Sequence, residues 1–304
     1  MPVSLRDPIK AILDTDAPAA LAVITNVAGP FYRPIGTMMA ILGEQERVGS
    51  LSSGCVESDI ALRAQQAREA GKPAVLLYGA GSPFMDIRLP CGGGMEVLIL
   101  PDPDREVLRH VITNQQSRKP CALKFGTEDG AMEVLEHQPT ARSTGALTVQ
   151  LDPELRFLVL GSGPEATSFG ALVQSADYEN LVISTDPETL ARATEAGCST
   201  REIVSPHLPA DIDVDDRTAV VLFFHDHEWE PGILASALKT PAFYIGAQGS
   251  QRALQTRLEA LSAMGLEADE LGRLHGPIGL IPSARDPRTL AISVLGEIVE
   301  KAIA

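Results

Sequence analysis

The sequence predicts an α/β protein, in which an N-terminal α+β domain is followed by a C-terminal Rossmann-like domain with a doubly wound parallel sheet. Three observations lead to this prediction. A glycine-rich turn joins an apolar strand to a small-residue helix within residues 156–175, strands and helices alternate after it, and the first half is mostly strand-like. The 304 residues are enough for two domains of ordinary size.

The first half reads as strands separated by turn signals, with two helices among them. Apolar residues recur among Arg and Gln from Glu57 to Ala70, which predicts a helix that Gly71 closes. A second helix is predicted at 107–116. The predicted strands are 17–28, 33–42, 74–79, 95–101, 121–126 and 132–137.

Turn-forming residues are dense between the two halves, in the stretch "HQPTARSTGALTVQLDPEL". Such composition is typical of a segment between domains. We therefore expect a first domain at 1–140, a linker at 141–153 and a second domain at 154–304.

The second half contains a dinucleotide-binding pattern directly after the apolar run "FLVL". Gly161 permits a tight turn, Gly163 lets the backbone approach a diphosphate, and Ala166 keeps the helix close to the strand. Asp186 follows a second apolar run, where a ribose-binding acid is expected. The sequence "DPE" also suits a helix N-cap, so capping stays open as the alternative role of Asp186.

Later strands are predicted at 219–224 and 242–247, with a helix between them, and polar residues follow each strand. The motif "HDHE" directly follows the strand predicted at 219–224 and starts with the candidate ligand-binding residues His225 and Asp226. Because no third ligand can be identified, a polar loop beside a ligand pocket is favoured over a metal site.

"GAQGSQR" follows the next strand and opens a helix whose Leu254, Leu258 and Leu261 share one face. Ser250 is predicted to cap this helix, and Arg252 in its first turn to meet an anion. The candidate ligand-binding residues in this stretch are Gly246, Gly249, Ser250 and Arg252.

Four cysteines lie far apart without a CxxC pair, which excludes a zinc ribbon and disfavours a disulfide framework. Cys121 and Cys198 are expected to be buried apolar residues. Cys55 and Cys91 instead stand in loops of small residues. The glycines beside these two cysteines are Gly54, Gly92 and Gly93.

The net charge of -15 and the scattered basic residues argue against nucleic-acid binding. No apolar run approaches the roughly 18 residues that a membrane span needs. The first residues lack the apolar core of a signal peptide, so we expect a cytoplasmic protein.

Several of these motifs occur together and in order, and together they resemble the XdhC/CoxI family of accessory proteins of xanthine dehydrogenase and related molybdenum hydroxylases. The match covers nearly the whole chain. The motifs are "GSLSSGCVE", "LPCGGGMEVLI", the Rossmann turn, "HDHE", "FYIGAQGSQR" and "HGPIGLIPSARDPRTLAISVLGEIV".

The resemblance implies a molybdenum cofactor chaperone rather than an enzyme. Such proteins hold molybdopterin or its dinucleotide, support its sulfuration by a cysteine desulfurase, and deliver it to an apo molybdenum hydroxylase. Cys55 stands in the family's glycine-cysteine-valine-glutamate motif, and a thiolate is a soft donor that molybdenum accepts. Cys91 is expected to play a supporting role.

Two other classes of protein stay open. The Rossmann half alone would suggest an NAD(P)-dependent oxidoreductase, although no Ser/Tyr-x-x-x-Lys arrangement appears in the sequence. A nucleotide-sensing binding protein without catalysis is the second alternative. A homodimer is compatible with the sequence but is not required by it.

Overall fold

The computed structural model describes residues 6–29, 33–44, 46–52, 54, 56–79, 93–224 and 229–303. The chain forms two compact units, Met1–Pro153 and Glu154–Ala304. The first combines antiparallel sheets with helices and the second contains a parallel sheet, so the predicted fold class is confirmed.

A five-stranded antiparallel sheet forms the centre of the first unit, with strand order β3-β2-β1-β5-β4. Central strand β1 is buried on both faces, because Leu21 and Val23 belong to one apolar cluster while Ala22 and Ile24 belong to another. The strands are β1 Ala19–Ala28, β2 Met38–Leu42, β3 Glu46–Gly49, β4 Ala74–Gly79 and β5 Gly94–Pro101.

Different elements cover the two faces of this sheet. Helix α2 (Glu57–Ala70) packs on one face through Ile60 and Ala64, and Gly71 ends it in the left-handed conformation as predicted. The other face shares an apolar cluster with α1 (Arg6–Leu13), α3 (Arg105–Gln116) and a second sheet.

The second sheet is antiparallel and has the order β7-β6-β9-β8. Its strands are β6 Cys121–Gly126, β7 Met132–Glu136, β8 Ala141–Ser143 and β9 Ala146–Leu151.

The segment 141–153, expected to be a linker, therefore forms two strands of the first unit. Its turn formers make a hairpin in which Gly145 has φ +76°. Leu147, Val149 and Leu151 alternate with less buried residues and enter the core, which explains why this polar-looking stretch is a strand. The two units divide between Pro153 and Glu154.

The second unit is built on a six-stranded parallel sheet. In the order in which this unit's strands occur along the chain, their arrangement is 3-2-1-4-5-6, the Rossmann order. The strands are β10 Arg156–Gly161, β11 Glu179–Ser184, β12 Ser199–Glu202, β13 Thr218–Phe223, β14 Tyr244–Ala247 and β15 Leu274–His275.

Helices and loops lie on both faces of this sheet. Phe157 and Val159 of β10 face a cluster that includes residues of α4 and α9, while Leu158 and Leu160 face one that includes residues of α6 and α7. The helices are α4 Pro164–Ser175, α5 Pro187–Glu195, α6 Glu230–Ala237, α7 Gln251–Ala263, α8 Ala268–Leu271 and α9 Pro287–Ile303. Within the described ranges, no helix is both long and apolar enough to cross a membrane.

Candidate functional site

The loop before α2 is organised around the carboxylate of Glu57, the first residue of that helix. One carboxylate oxygen, Oε1, accepts hydrogen bonds from the Ser50 hydroxyl at 2.9 Å and from the backbone N–H groups of Leu51 at 3.1 Å and Ser52 at 2.7 Å. The loop therefore turns its donors inward toward a single acceptor.

The other oxygen of Glu57, Oε2, binds the second half of the same loop. It accepts from the Ser52 hydroxyl at 2.7 Å and from the N–H groups of Gly54 at 2.9 Å and Val56 at 3.1 Å. Gly54 and Val56 are the chain neighbours of Cys55, so the backbone is tied on both sides of the cysteine.

These hydrogen bonds decide the protonation state of Glu57, which is only 6% exposed. Burial by itself would raise the pKa of the carboxyl group. Hydrogen bonds from Ser52 and Ser50 outweigh burial and lower the pKa to about 2. Glu57 is therefore ionised at neutral pH, and its charge lies favourably at a helix N-terminus.

Gly54 meets a steric requirement of this loop. Its φ of +107° is a conformation that side chains rarely adopt, and beyond its chain neighbours no heavy atom of the described residues lies within 4 Å of a Cβ placed there. The described residues thus leave space beside Gly54. Cys55, Cys91 and Gly92 lie outside the described residues, whereas Gly93 directly precedes β5.

In the second unit, the turn after β10 has the geometry predicted for its glycines. A Cβ on Gly161 would lie 2.7 Å from the carbonyl carbon of Phe223, so only glycine allows β10 to approach β13 there. Gly163 has φ +88°, and its N–H donates to the Thr189 hydroxyl at 2.9 Å. Ala166 is fully buried beneath the turn.

Asp186 caps α5 in the structure, as the alternative interpretation of "DPE" proposed. Its carboxylate accepts from the backbone N–H groups of Glu188 at 3.2 Å and Thr189 at 3.0 Å, and from the Thr189 hydroxyl at 2.5 Å. The hydrogen bonds from Thr189 are the main reason that the pKa of Asp186 is lowered. A ribose-binding role for Asp186 stays a prediction.

A cavity of about 220 Å³ lies beside this turn. Gly163, Thr167 and Asp186 line it, together with Arg192, which pairs with Glu188 at 2.6 Å. The glycine turn therefore contributes to the lining of the cavity, together with both acidic and basic side chains. Its chemistry suits a polar ligand.

The structure confirms that Ser250 caps α7, because its hydroxyl accepts from the N–H of Ala253 at 3.2 Å. Arg252 is exposed in the first turn. Gly246 has a packing role, since a Cβ there would lie 2.6 Å from the Tyr244 ring. Leu254, Leu258 and Leu261 pack against the apolar cluster that α7 shares with the sheet, as expected.

Sequence reasoning did not single out Arg257, which is buried at this end of the sheet. It forms an ion pair with Glu230 at 2.7 Å, and the two side chains are 7% and 2% exposed. Arg257 falls on the same helical stripe as Leu254, Leu258 and Leu261. An arginine on an apolar stripe is the signal that could have identified it.

Two cysteines have the role that the sequence predicted for them. Cys121 and Cys198 are buried, and burial raises the pKa of both thiols. His225 and Asp226 lie outside the described residues. Among the residues that the structure does describe, no group of three or more His, Cys, Asp or Glu side chains is placed to hold a metal ion.

The strand order, the turn after β10 and the carboxylate-centred loop before α2 define a two-unit α/β protein with one Rossmann unit. The family model described as the XdhC Rossmann domain matches residues 157–298, and the model of the XdhC and CoxI family matches residues 12–79.

Similar proteins extend over almost the whole chain. The chain is 30% identical over 298 residues to the molybdenum cofactor insertion chaperone PaoD of Escherichia coli (strain K12), covering 97% of this chain and 86% of the relative. It is 21% identical over 323 residues to a probable xanthine dehydrogenase subunit of Bacillus subtilis (strain 168), covering 96% of each. The chain therefore belongs to the XdhC/CoxI family, which confirms the resemblance inferred from its motifs.

A solved structure supports the fold independently. A crystal structure of a Bacillus halodurans protein described as a xanthine dehydrogenase superposes with a TM-score of 0.80 at 21% sequence identity. The alignment covers 99% of this chain and 96% of the other.

Proposed function

We propose that this protein is a molybdenum cofactor chaperone that delivers the cofactor to a molybdenum hydroxylase of the xanthine dehydrogenase type. The observation that carries the proposal is the loop held by Glu57 on both sides of Cys55. The name of the 30% identical relative, a molybdenum cofactor insertion chaperone, supports the same ligand. The finer steps, sulfuration with a cysteine desulfurase and transfer to the apo hydroxylase, belong to this proposal.

The residues present suit such a ligand. A cysteine thiolate is a soft donor of the kind that molybdenum accepts. Gly54 has no close neighbour among the described residues beyond the chain itself, and the ionised Glu57 fixes the loop backbone through its carboxylate. In this proposal Cys55 holds the metal, Gly54 gives access, and Cys91, Gly92 and Gly93 support the same ligand.

The loop favours reversible binding over reaction at sulfur. A negative carboxylate near a cysteine does not promote thiolate formation, so a low thiol pKa would need backbone N–H groups or the metal itself. The Gly54 and Val56 N–H groups already donate to Glu57. We therefore assign Cys55 a carrier role and propose no catalytic residue.

Nucleotide binding by the Rossmann unit is the second candidate function. The strand order and the positive φ of Gly163 favour it, and the ligand would be a pterin dinucleotide or NAD(P). We propose Gly161, Gly163 and Asp186 for this ligand, and the sequence prediction adds His225, Asp226 and Gly246. A homodimer stays a prediction from the sequence.

The test is purification from a molybdenum-replete host, followed by metal analysis and oxidation of bound pterin to its fluorescent form. We expect molybdenum and pterin in the wild type, and loss of molybdenum with failure to activate an apo hydroxylase in Cys55→Ala. Cys121→Ala and Cys198→Ala are matched controls that should keep both properties. Full molybdenum loading and hydroxylase activation by Cys55→Ala would contradict the proposal.

A further inference from the structure

The guanidinium of Arg257 lies beneath the loop that joins β14 to α7. Its Nε and Nη2 donate to the Glu230 carboxylate at 3.0 and 2.7 Å, and Nη2 also donates to the Gln248 carbonyl at 2.6 Å. Helical side chains lean toward the helix N-terminus, so Arg257 in the second turn reaches back to the start of α7.

One nitrogen of this guanidinium remains unused. Nη1 of Arg257 is buried and has no hydrogen-bond partner within the described part of the chain. A Cβ built on Gly249 would lie 3.0 Å from Nη1, and Gly249 itself is exposed with φ +149°. The backbone of the exposed Gly249 therefore lies next to a charged donor that has no partner among the described residues.

The side chain of Gln248 adds a second unsatisfied group at the same loop. Its Oε1 is also buried without a partner among the described residues, and a half-turn of the amide would present its NH₂ group instead. An unsatisfied buried polar group destabilises a protein, because it has lost its hydrogen bonds to water without replacing them. Two of them at the same loop indicate a polar ligand that completes the network.

The N-terminus of α7 supplies further donors. The helix spans 13 residues and carries no acidic side chain in its first turn. The N–H groups of Gln251 and Arg252 lie in the first turn and have no acceptor inside the helix. The helix dipole favours an anion at this end, and Arg252 adds an exposed positive charge.

We propose that Gln248–Arg252 and the Arg257 guanidinium form a binding site for a phosphate group. Phosphate oxygens accept hydrogen bonds from backbone N–H groups and guanidinium nitrogens alike. The Glu230 carboxylate neutralises the charge of Arg257. The attraction for a phosphate therefore comes from the oriented hydrogen-bond donors of the loop and from the positive charge of Arg252. The inference deepens the nucleotide binding proposed for this unit and rests on it, because the phosphate belongs either to a pterin cofactor or to an ordinary nucleotide.

The test is a titration of the isotope-labelled full chain with inorganic phosphate and with pyrophosphate, followed by the backbone amide signals of Gly249–Arg252. We expect saturable shifts at these amides. Gly249→Ala places a methyl group over Nη1, and Arg257→Lys keeps a charge but removes the forked donors. Each variant should lower the affinity at least about tenfold, the loss expected for a charge-assisted hydrogen bond.

Two matched controls separate this loss from general damage to the unit. Gly265→Ala also places a side chain at a positive φ, but beyond the chain neighbours no heavy atom of the described part of the chain lies within 4 Å of the new Cβ. Arg273→Lys removes an arginine that donates to the carbonyls of Leu238 and Ala242. Both controls should bind phosphate like the wild type.

Absence of saturable shifts at Gly249–Arg252 in the wild type would overturn the proposal, as would unchanged affinity in folded Gly249→Ala and Arg257→Lys proteins. If both variants unfold, the wild-type titration alone decides. Stronger binding of either a pterin phosphate or a nucleoside monophosphate than of inorganic phosphate would support the site and identify the source. This titration uses no molybdenum, so its outcome does not depend on the chaperone proposal, which the molybdenum and pterin analysis tests separately.

Discussion

Ser52 binds both oxygens of Glu57: its backbone N–H donates to Oε1 and its hydroxyl donates to Oε2, each at 2.7 Å. The Ser52 hydroxyl also accepts from the N–H of Val56 at 3.1 Å. The serine and the carboxylate therefore fix the loop from two directions. The loop conformation around Cys55 depends on a group that does not have to touch a ligand.

Glu57→Gln should disrupt this loop. The amide nitrogen of glutamine would replace an oxygen that accepts from Ser52, Gly54 and Val56. These three hydrogen-bond donors would then face an NH₂ group, which is itself a donor. We expect the free energy of unfolding to fall by about 2–4 kcal/mol. Amide hydrogen exchange at Leu51, Ser52 and Gly54 should accelerate, and chemical denaturation should measure the loss.

Glu106→Gln is the matched control for this change. Glu106 also lies in the first turn of a helix, but it is exposed and the loop does not bind it. Its replacement should change stability by no more than about 0.5 kcal/mol. Unchanged exchange of the loop amides in Glu57→Gln would show that the carboxylate does not hold the loop.

The ionisation of Glu57 predicts a dependence of stability on acid. Its pKa falls from 4.5 to about 2 on folding, so the carboxylate stabilises the folded state above pH 4.5. That contribution, about 3 kcal/mol, disappears as the pH falls through the folded value. Between pH 5 and pH 2 the wild type should lose more stability than Glu57→Gln. Parallel stability curves for the two proteins would contradict this assignment.

Gly163→Ala should separate nucleotide binding from folding. Among the described residues the new Cβ would have only the Glu165 carboxylate near it, at 3.8 Å, so the cost is mainly backbone strain at φ +88°. Gly265 has the same φ and open surroundings, which makes Gly265→Ala a close control. Both should lose about 1–2 kcal/mol of stability. Calorimetry should show weaker binding of a pterin dinucleotide or NAD(P) in Gly163→Ala alone.

Alkylation should distinguish the cysteines that the structure describes from exposed thiols. Cys121 and Cys198 are 3% and 7% exposed, and their raised pKa values keep them protonated. With iodoacetamide at pH 8, peptide mass spectrometry should find both unmodified until the protein is unfolded. Rapid modification of either cysteine in the native protein would show that its part of the core opens.

Local patterns were sufficient to predict much of the fold. Helix α2 has the predicted limits because Gly71 ends it, and the turn at Gly161 and Gly163 followed from residue spacing. The strands β12 and β15 were not predicted, because four and two residues carry too little apolar alternation. The segment of β8 and β9 has the composition of a linker because it is rich in turn formers. Those residues form a local hairpin, and only the pairing of β9 with the earlier strand β6 fixes it in the sheet.

The candidate site was predictable only in part. Glycine, serine and cysteine in one short stretch indicated an unusual loop, but not that its donors converge on Glu57. Convergence is a property of backbone direction, which residue types do not specify. Likewise the pairing of Arg257 with Glu230 joins two helices, and neither helix alone indicates it.

The Gly163 N–H at the turn after β10 already has a hydrogen-bond acceptor, the Thr189 hydroxyl. An anion that takes this N–H must displace the hydroxyl, so it gains the difference between two hydrogen bonds rather than a whole one. Such an exchange lowers affinity mainly through faster dissociation. Under the proposed chaperone function, Thr189 would act as an internal competitor that shortens the time for which a ligand stays bound at this turn.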